Sequence, residues 1–76
     1  MIVSNNIAPD KNLYYIGSEI LEILHKNENQ LDIILLFNIL NEYVKVNFVL
    51  YTYSLDWLFI SGLIENDKKG KIIRCT

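Results

Sequence analysis

The feature that most constrains this chain is the crowding of apolar residues into residues 31–64, about two-thirds of which are apolar. An average domain is about 45–50% apolar, so this segment exceeds the needs of an ordinary small core. The chain has 76 residues, which fits one domain over residues 1–76, and such a domain buries only about 60% of its unfolded surface. One Cys and one His cannot form an internal disulfide or a zinc site. The sequence therefore predicts stabilisation by a partner.

Residues 46–64 carry only one charge, Asp56, and their length suggests a membrane-spanning helix. Two features argue against that helix: Asp56 would lie near mid-membrane at a large insertion cost, and polar and small residues interrupt the stretch. The first ten residues also lack the basic and apolar regions of a signal peptide. We therefore expect a soluble, cytoplasmic protein without membrane contact.

Apolar residues at three-and-four spacing predict a first helix over residues 11–26, with Asp10 as its N-cap. Gly17 lies inside this helix and costs about 1 kcal/mol relative to Ala. Gly17 is either simply tolerated there or allows the close approach of another backbone, and we favour the second explanation. A polar loop over residues 26–30 is expected to follow.

Capping residues mark the next two helices. Asp32 is expected to cap a second helix over residues 33–43, which is apolar on every face and should be buried on more than one side. Asn47 is expected to cap a third helix over residues 48–61. Gly62 then stands where a left-handed residue ends a helix.

Two short strands are predicted at the C-terminal end, over residues 63–65 and 71–74, around a loop that contains Gly70. Residues 1–10 are expected to form an N-terminal arm or a short strand. Three helices followed by a hairpin is the winged-helix order. We therefore predict an α+β, mainly α, winged-helix-like three-helix domain with a C-terminal β-hairpin wing over residues 63–74.

A winged helix suggests DNA binding, but the charge distribution disagrees. The predicted recognition helix, residues 48–61, has no Lys or Arg, and the chain is acidic with a net charge of −2, whereas nucleic-acid-binding domains tend to be basic. Four cations lie in the wing, and they either keep its tip solvated or contact phosphate indirectly within a larger complex: Lys68, Lys69, Lys71 and Arg74.

The third helix carries apolar residues on two opposite faces. At 100° per residue, one face fits the core of the domain, and its members are Phe48, Tyr51, Leu55, Leu58 and Phe59. The opposite face, which should be polar in an isolated domain, is also apolar, and its members are Leu50, Tyr53, Trp57 and Ile60. Either the second helix or the N-terminal arm covers this face, or a partner does. We favour a partner, because Trp and Tyr dominate interface hot spots.

Other residues are expected to extend this partner interface. Tyr14 and Tyr15 flank the core line of the first helix, and Ile2 and Val3 have the composition to add a strand to a partner sheet.

No pattern in the sequence supports catalysis, a metal site or a cofactor site. His25 stands alone near a helix end, where its positive charge is favourable, and Cys75 lies next to the C-terminus. The three glycines are too far apart for a phosphate-binding loop. Asp56 is the one unusual charge, and it either faces solvent or pairs with a cation of the wing or of a partner. We predict no enzyme activity and no bound cofactor.

The chain resembles the small middle components of bacterial ABC-three-component systems, most closely the type called middle component six. The resemblance covers residues 7–74. It rests on the following residues: Ile7-Ala8-Pro9, Leu13, Ile16-Gly17, Ile20-Leu21, Leu24, Leu55, Leu58, Gly62-Leu63-Ile64, Gly70 and Ile72. The aromatic segment over residues 51–57 departs from the more aliphatic helices of that family.

The resemblance implies an accessory subunit that works beside an SMC-like or Rad50-like ABC ATPase and a larger effector protein, in systems such as Lamassu that defend against phage and plasmids. It offers no catalytic motif to transfer. Residues and resemblance together favour a non-catalytic adaptor. The alternative is a small winged-helix DNA-binding regulator that acts as a homodimer through its third helix.

Overall fold

The computed structural model describes residues 13–75 and contains three helices and one antiparallel sheet. The predicted arm over residues 1–10, with Ile2 and Val3, the Asp10 cap and the start of the first predicted helix lie outside the described residues. The α+β, mainly α, fold class is confirmed. The elements in chain order are α1 (Leu13–Lys26), β1 (Gln30–Asp32), α2 (Ile33–Tyr43), α3 (Phe48–Ile60), β2 (Ile64–Asn66) and β3 (Lys71–Arg74).

The helix caps confirm the local predictions. The Asp32 carboxylate accepts hydrogen bonds from the backbone N–H groups of Ile34 and Leu35 at 3.0 and 3.3 Å, and the Asn47 side chain accepts one from Leu50 at 2.8 Å. These bonds satisfy N–H groups that have no partner inside a helix. Gly62 has φ 78°, a left-handed conformation that glycine adopts without steric cost and that ends α3.

The sheet has one more strand than the sequence predicts. β2 and β3 form the expected hairpin, but β1 pairs with the other edge of β3, with Leu31 opposite Ile72. Gln30, the last residue of the predicted polar loop, is thus the first residue of strand β1. Leu31 is the only apolar residue of β1, so the strand has no local signal and depends on a partner far along the chain.

The core lies between the three helices and the inner face of the sheet. Leu24, Leu36, Leu40, Leu58 and Ile72 are fully buried there, and α1 packs against both α2 and α3. The Tyr51 hydroxyl donates a 2.6 Å hydrogen bond to the backbone carbonyl of Ile33, which ties α3 to the start of α2. Burial raises the pKa of Tyr51 above its usual range, and the nearby Asp32 carboxylate adds to the shift.

No single helix within residues 13–75 has the length and apolarity to cross a membrane. Taken together, α2 and α3 are long and apolar enough, but the chain bends by 113° between the two helices.

Candidate protein-docking surface

The outward side of α3 is apolar and exposed to solvent. Val49, Tyr53 and Ile60 expose 58%, 59% and 86% of their surface, and Asp56, on the same side, is also exposed. Single exposed apolar residues are common, but a row of large ones on one helix indicates an interaction site.

The most exposed side of α3 is rotated about the helix axis relative to the outer face that the sequence predicts. Tyr53 and Ile60 are exposed as predicted, but Leu50 and Trp57 are half-buried. The predicted core face is displaced in the same sense, because Phe48 is exposed and Phe59 only half-buried.

Ser54 explains this displacement of the α3 faces. It is fully buried, and its hydroxyl donates a 3.0 Å hydrogen bond to the carbonyl of Leu50. With that bond made, the small polar side chain is accepted in the core. Because the apolar pattern does not include Ser54, the predicted core face is centred away from the side of α3 that is buried.

Gly17 allows a close approach, as predicted, but the neighbour is a side chain and not a backbone. A Cβ atom at Gly17 would lie 2.9 Å from Cζ3 of Trp57, which is closer than van der Waals contact. The absence of that atom lets the indole lie on the backbone of α1. Trp57 therefore has two roles: one part of the ring packs α3 against α1, and the rest remains accessible.

Tyr14 joins this surface from α1. Its ring meets the Trp57 ring edge to face, with centroids 4.9 Å apart and planes at 82°, the geometry that aromatic quadrupoles favour. Tyr14 remains 69% exposed. We term Tyr14, Leu50, Tyr53, Trp57 and Ile60 the docking surface. Tyr15 is also exposed, but within residues 13–75 it makes no ring contact with Trp57.

A second exposed apolar region lies on α2. Ile34 and Leu35 are about half exposed, although the all-round apolarity of this helix predicts their burial. Nearby, the Phe37 ring contacts the rings of Phe48 and Tyr51, with centroids 5.2 and 4.9 Å away. In the sequence, the run of five apolar residues at the start of α2 indicates this region. A single contact with the core cannot cover all five side chains.

The predicted cations of the wing divide into two groups. Lys68, Lys69 and Lys71 are exposed at or beside the hairpin tip. Arg74 is half-buried on β3, and its guanidinium donates a 3.3 Å hydrogen bond to the side-chain oxygen of Asn29.

Asp67 organises the tip. Its carboxylate accepts hydrogen bonds from the backbone N–H groups of Lys71 and Lys69 at 2.9 and 2.8 Å. Both bonds lower the pKa of Asp67, and the bond from Lys71 has the larger effect.

The groups with reactive chemistry are scattered. His25 and Cys75 are both exposed, and local desolvation together with the Glu65 carboxylate raises the pKa of the Cys75 thiol, which disfavours the nucleophilic thiolate. Among residues 13–75, no three His, Cys, Asp or Glu side chains are placed to hold a metal ion. The arrangement supports protein contact better than chemistry.

Comparison with known proteins agrees with the resemblance seen in the sequence. The family model described as ABC-three component (ABC-3C) system Middle Component 6 matches residues 2–75. No curated protein and no solved structure matches the chain. The family match spans every element from α1 to β3.

Proposed function

The chain belongs to the Middle Component 6 family of ABC-three component systems, and on this basis we propose that it is a non-catalytic accessory subunit that docks onto a larger subunit of its system. A middle component works within a multi-protein system, so protein partners are expected. The observation that carries the proposal is the docking surface, where Tyr14, Tyr53 and Ile60 are each more than half exposed around Trp57.

The composition of the docking surface fits a binding site. An aromatic side chain can bury about 150–250 Å², and Tyr14 and Tyr53 each expose more than half of theirs; exposed apolar surface of this kind marks interaction sites. Trp and Tyr are also the residues most enriched among binding hot spots. Covering this surface supplies the extra stabilisation that the apolar content of the chain requires.

The partner follows from the resemblance: an SMC-like ABC ATPase, the effector protein beside it, or both, in a system that defends the cell against phage or plasmids. Ile2 and Val3 extend the contact by adding a strand to a partner sheet, and Tyr15 enlarges it from α1. These contacts take place in the cytoplasm.

The wing adds an indirect contact with nucleic acid. Lys68, Lys69 and Lys71 present three cations at a tip that the Asp67 hydrogen bonds hold in shape. Within an assembly they are suited to phosphate, which is recognised mainly by charge. Because α3 exposes Asp56 and has no Lys or Arg, we do not propose independent sequence-specific DNA binding.

The element order supports a winged-helix domain as part of this proposal. Three helices precede the C-terminal hairpin, and β1 joins the hairpin through β3. In this use of the fold, the third helix contacts protein instead of the major groove.

Co-purification with the ATPase and effector of the same system tests the proposal. Tyr14→Ala and Tyr53→Ala should each weaken the complex by about 2 kcal/mol if the two residues are hot spots, which is roughly thirtyfold. Tyr43→Ala is the matched control, because Tyr43 on α2 is 66% exposed and lies outside the docking surface. Denaturation midpoints of the free variants show whether the fold is intact.

Two outcomes contradict the proposal. One is an unchanged complex in the Tyr14→Ala and Tyr53→Ala double variant. The other is equal weakening by Tyr43→Ala, which would show that the loss does not report on the docking surface.

A further inference from the structure

Four residues form a straight exposed row along α3, at spacings of four, three and four. They are Val49, Tyr53, Asp56 and Ile60, and we term them the α3 stripe. The helix has 13 residues and is therefore about 20 Å long. Within residues 13–75, neither the Tyr53 hydroxyl nor the Asp56 carboxylate makes a hydrogen bond or an ion pair. The row is aliphatic at both ends and polar only in the middle.

The α3 stripe is complementary to itself when its direction is reversed. Turned about its midpoint, it places Val49 opposite Ile60 and Tyr53 opposite Asp56. A tyrosine hydroxyl is a donor and an ionised aspartate accepts only, so both central positions gain a charge-assisted hydrogen bond. We propose that a second copy of this chain covers the α3 stripe as an antiparallel, two-fold symmetric helix pair.

Charge selects the antiparallel direction. A parallel pair would place Asp56 against Asp56 of the other copy, and like charges in contact are destabilising. In the antiparallel pair the two carboxylates are offset by three residues, about 4.5 Å along the helix axis. A different protein would have to provide its own donor or cation for Asp56, whereas a second copy already provides the Tyr53 hydroxyl.

The size of the contact sets its strength. Four residues per copy are far fewer than the roughly 20–30 per side of a stable interface. We therefore expect weak association, with a dissociation constant of about 10 μM or more. Tyr53 and Ile60 also belong to the docking surface, so the weak pair forms in the free chain and the larger subunit displaces it on binding. The inference rests on α3 alone and does not require the proposed function.

Sedimentation equilibrium of the full chain tests the pairing over a range from about 1 μM to 1 mM. We expect a reversible monomer–dimer equilibrium that Ile60→Asp weakens by roughly tenfold or more, because a charge replaces a buried aliphatic contact. Ile34→Asp is the matched control, because Ile34 is 52% exposed on α2. It should leave the equilibrium unchanged. Tyr53→Phe should weaken the dimer by roughly tenfold, since it removes two symmetric hydrogen bonds.

Cross-linking tests the direction of the two helices. In a Cys75→Ser background, a mixture of the Val49→Cys and Ile60→Cys variants should form a disulfide between different copies, because these positions face each other. Neither variant alone should do so efficiently.

Three results would overturn the inference: a wild-type chain that stays monomeric at about 1 mM, a dimer that tolerates Ile60→Asp, or efficient self-cross-linking by Val49→Cys alone. If the wild-type chain stays monomeric and still captures the larger subunits, the proposed function holds although the dimer does not form.

Discussion

The two sides of α3 look alike in the sequence and differ in what covers them. On the side toward α1, the Trp57 ring lies on Gly17, and Leu58 beside it is fully buried. On the outward side, Tyr53 and Ile60 have the same aromatic and apolar character. Within the structure of residues 13–75, however, both side chains are more than half exposed. The difference teaches that an apolar pattern predicts burial without identifying the covering surface, which here is either α1 or another protein.

The largest expected difference between the two sides concerns Leu58 and Ile60. Leu58→Ala should lower the free energy of unfolding by about 2–5 kcal/mol, because it opens a cavity in a close-packed core. Ile60→Ala should change it by less than about 0.5 kcal/mol, because Ile60 is 86% exposed. Chemical denaturation of the dilute chain measures both. Equal losses would mean that the outward side is already covered within the monomer.

A smaller effect is expected where α1 and α3 meet. Gly17→Val should lower the free energy of unfolding by about 1–3 kcal/mol, because its side chain would occupy the position of the Trp57 ring. Replacing Trp57 with Leu should therefore cost less in the Gly17→Val background than in the wild type, with a coupling of about 0.5–3 kcal/mol. A double-mutant cycle measures this coupling, and strictly additive losses would break the assignment of Trp57 to the α1 contact.

The sequence predicts the parts of the fold that depend on neighbouring residues. Asp32, Asn47 and Gly62 mark helix ends through local hydrogen bonds and backbone conformation, and all three act as expected. β1 was missed because its three residues form a strand only against β3. The predicted α3 faces are displaced from the observed ones because an apolar pattern does not include Ser54, which is buried with its hydroxyl bonded within its own helix. The sequence already predicts the members of the docking surface, but the edge-to-face contact of Tyr14 with Trp57 joins two helices and is contained in no local pattern.

The smallest expected effect compares two tyrosines on opposite sides of α3. Tyr51→Phe removes the hydroxyl that bonds the Ile33 carbonyl and should lower the free energy of unfolding by about 1 kcal/mol. Tyr53→Phe should change it by less than about 0.5 kcal/mol. Guanidinium denaturation of both variants at neutral pH, at concentrations of a few μM, measures the difference. Equal losses would contradict the assignment of Tyr51 to the buried side.

The same pair predicts a pH dependence. The pKa of Tyr51 is raised in the folded state, so its contribution is fully present below the unfolded value of about 10 and is lost as the pH rises toward the folded value. The free energy of unfolding should therefore decrease above about pH 10 in the wild type. Tyr51→Phe should reduce that decrease, whereas Tyr53→Phe should retain it. A profile that Tyr51→Phe leaves unchanged would contradict the linkage.

The central claim is that a partner subunit covers the docking surface, and thiol labelling measures this most directly. In a Cys75→Ser background, Tyr14→Cys should react rapidly in the free chain and at least about tenfold more slowly in the complex with the larger subunits. Tyr43→Cys, outside the docking surface, should react at the same rate in both states. Equal labelling of Tyr14→Cys in the free and assembled protein would contradict the claim.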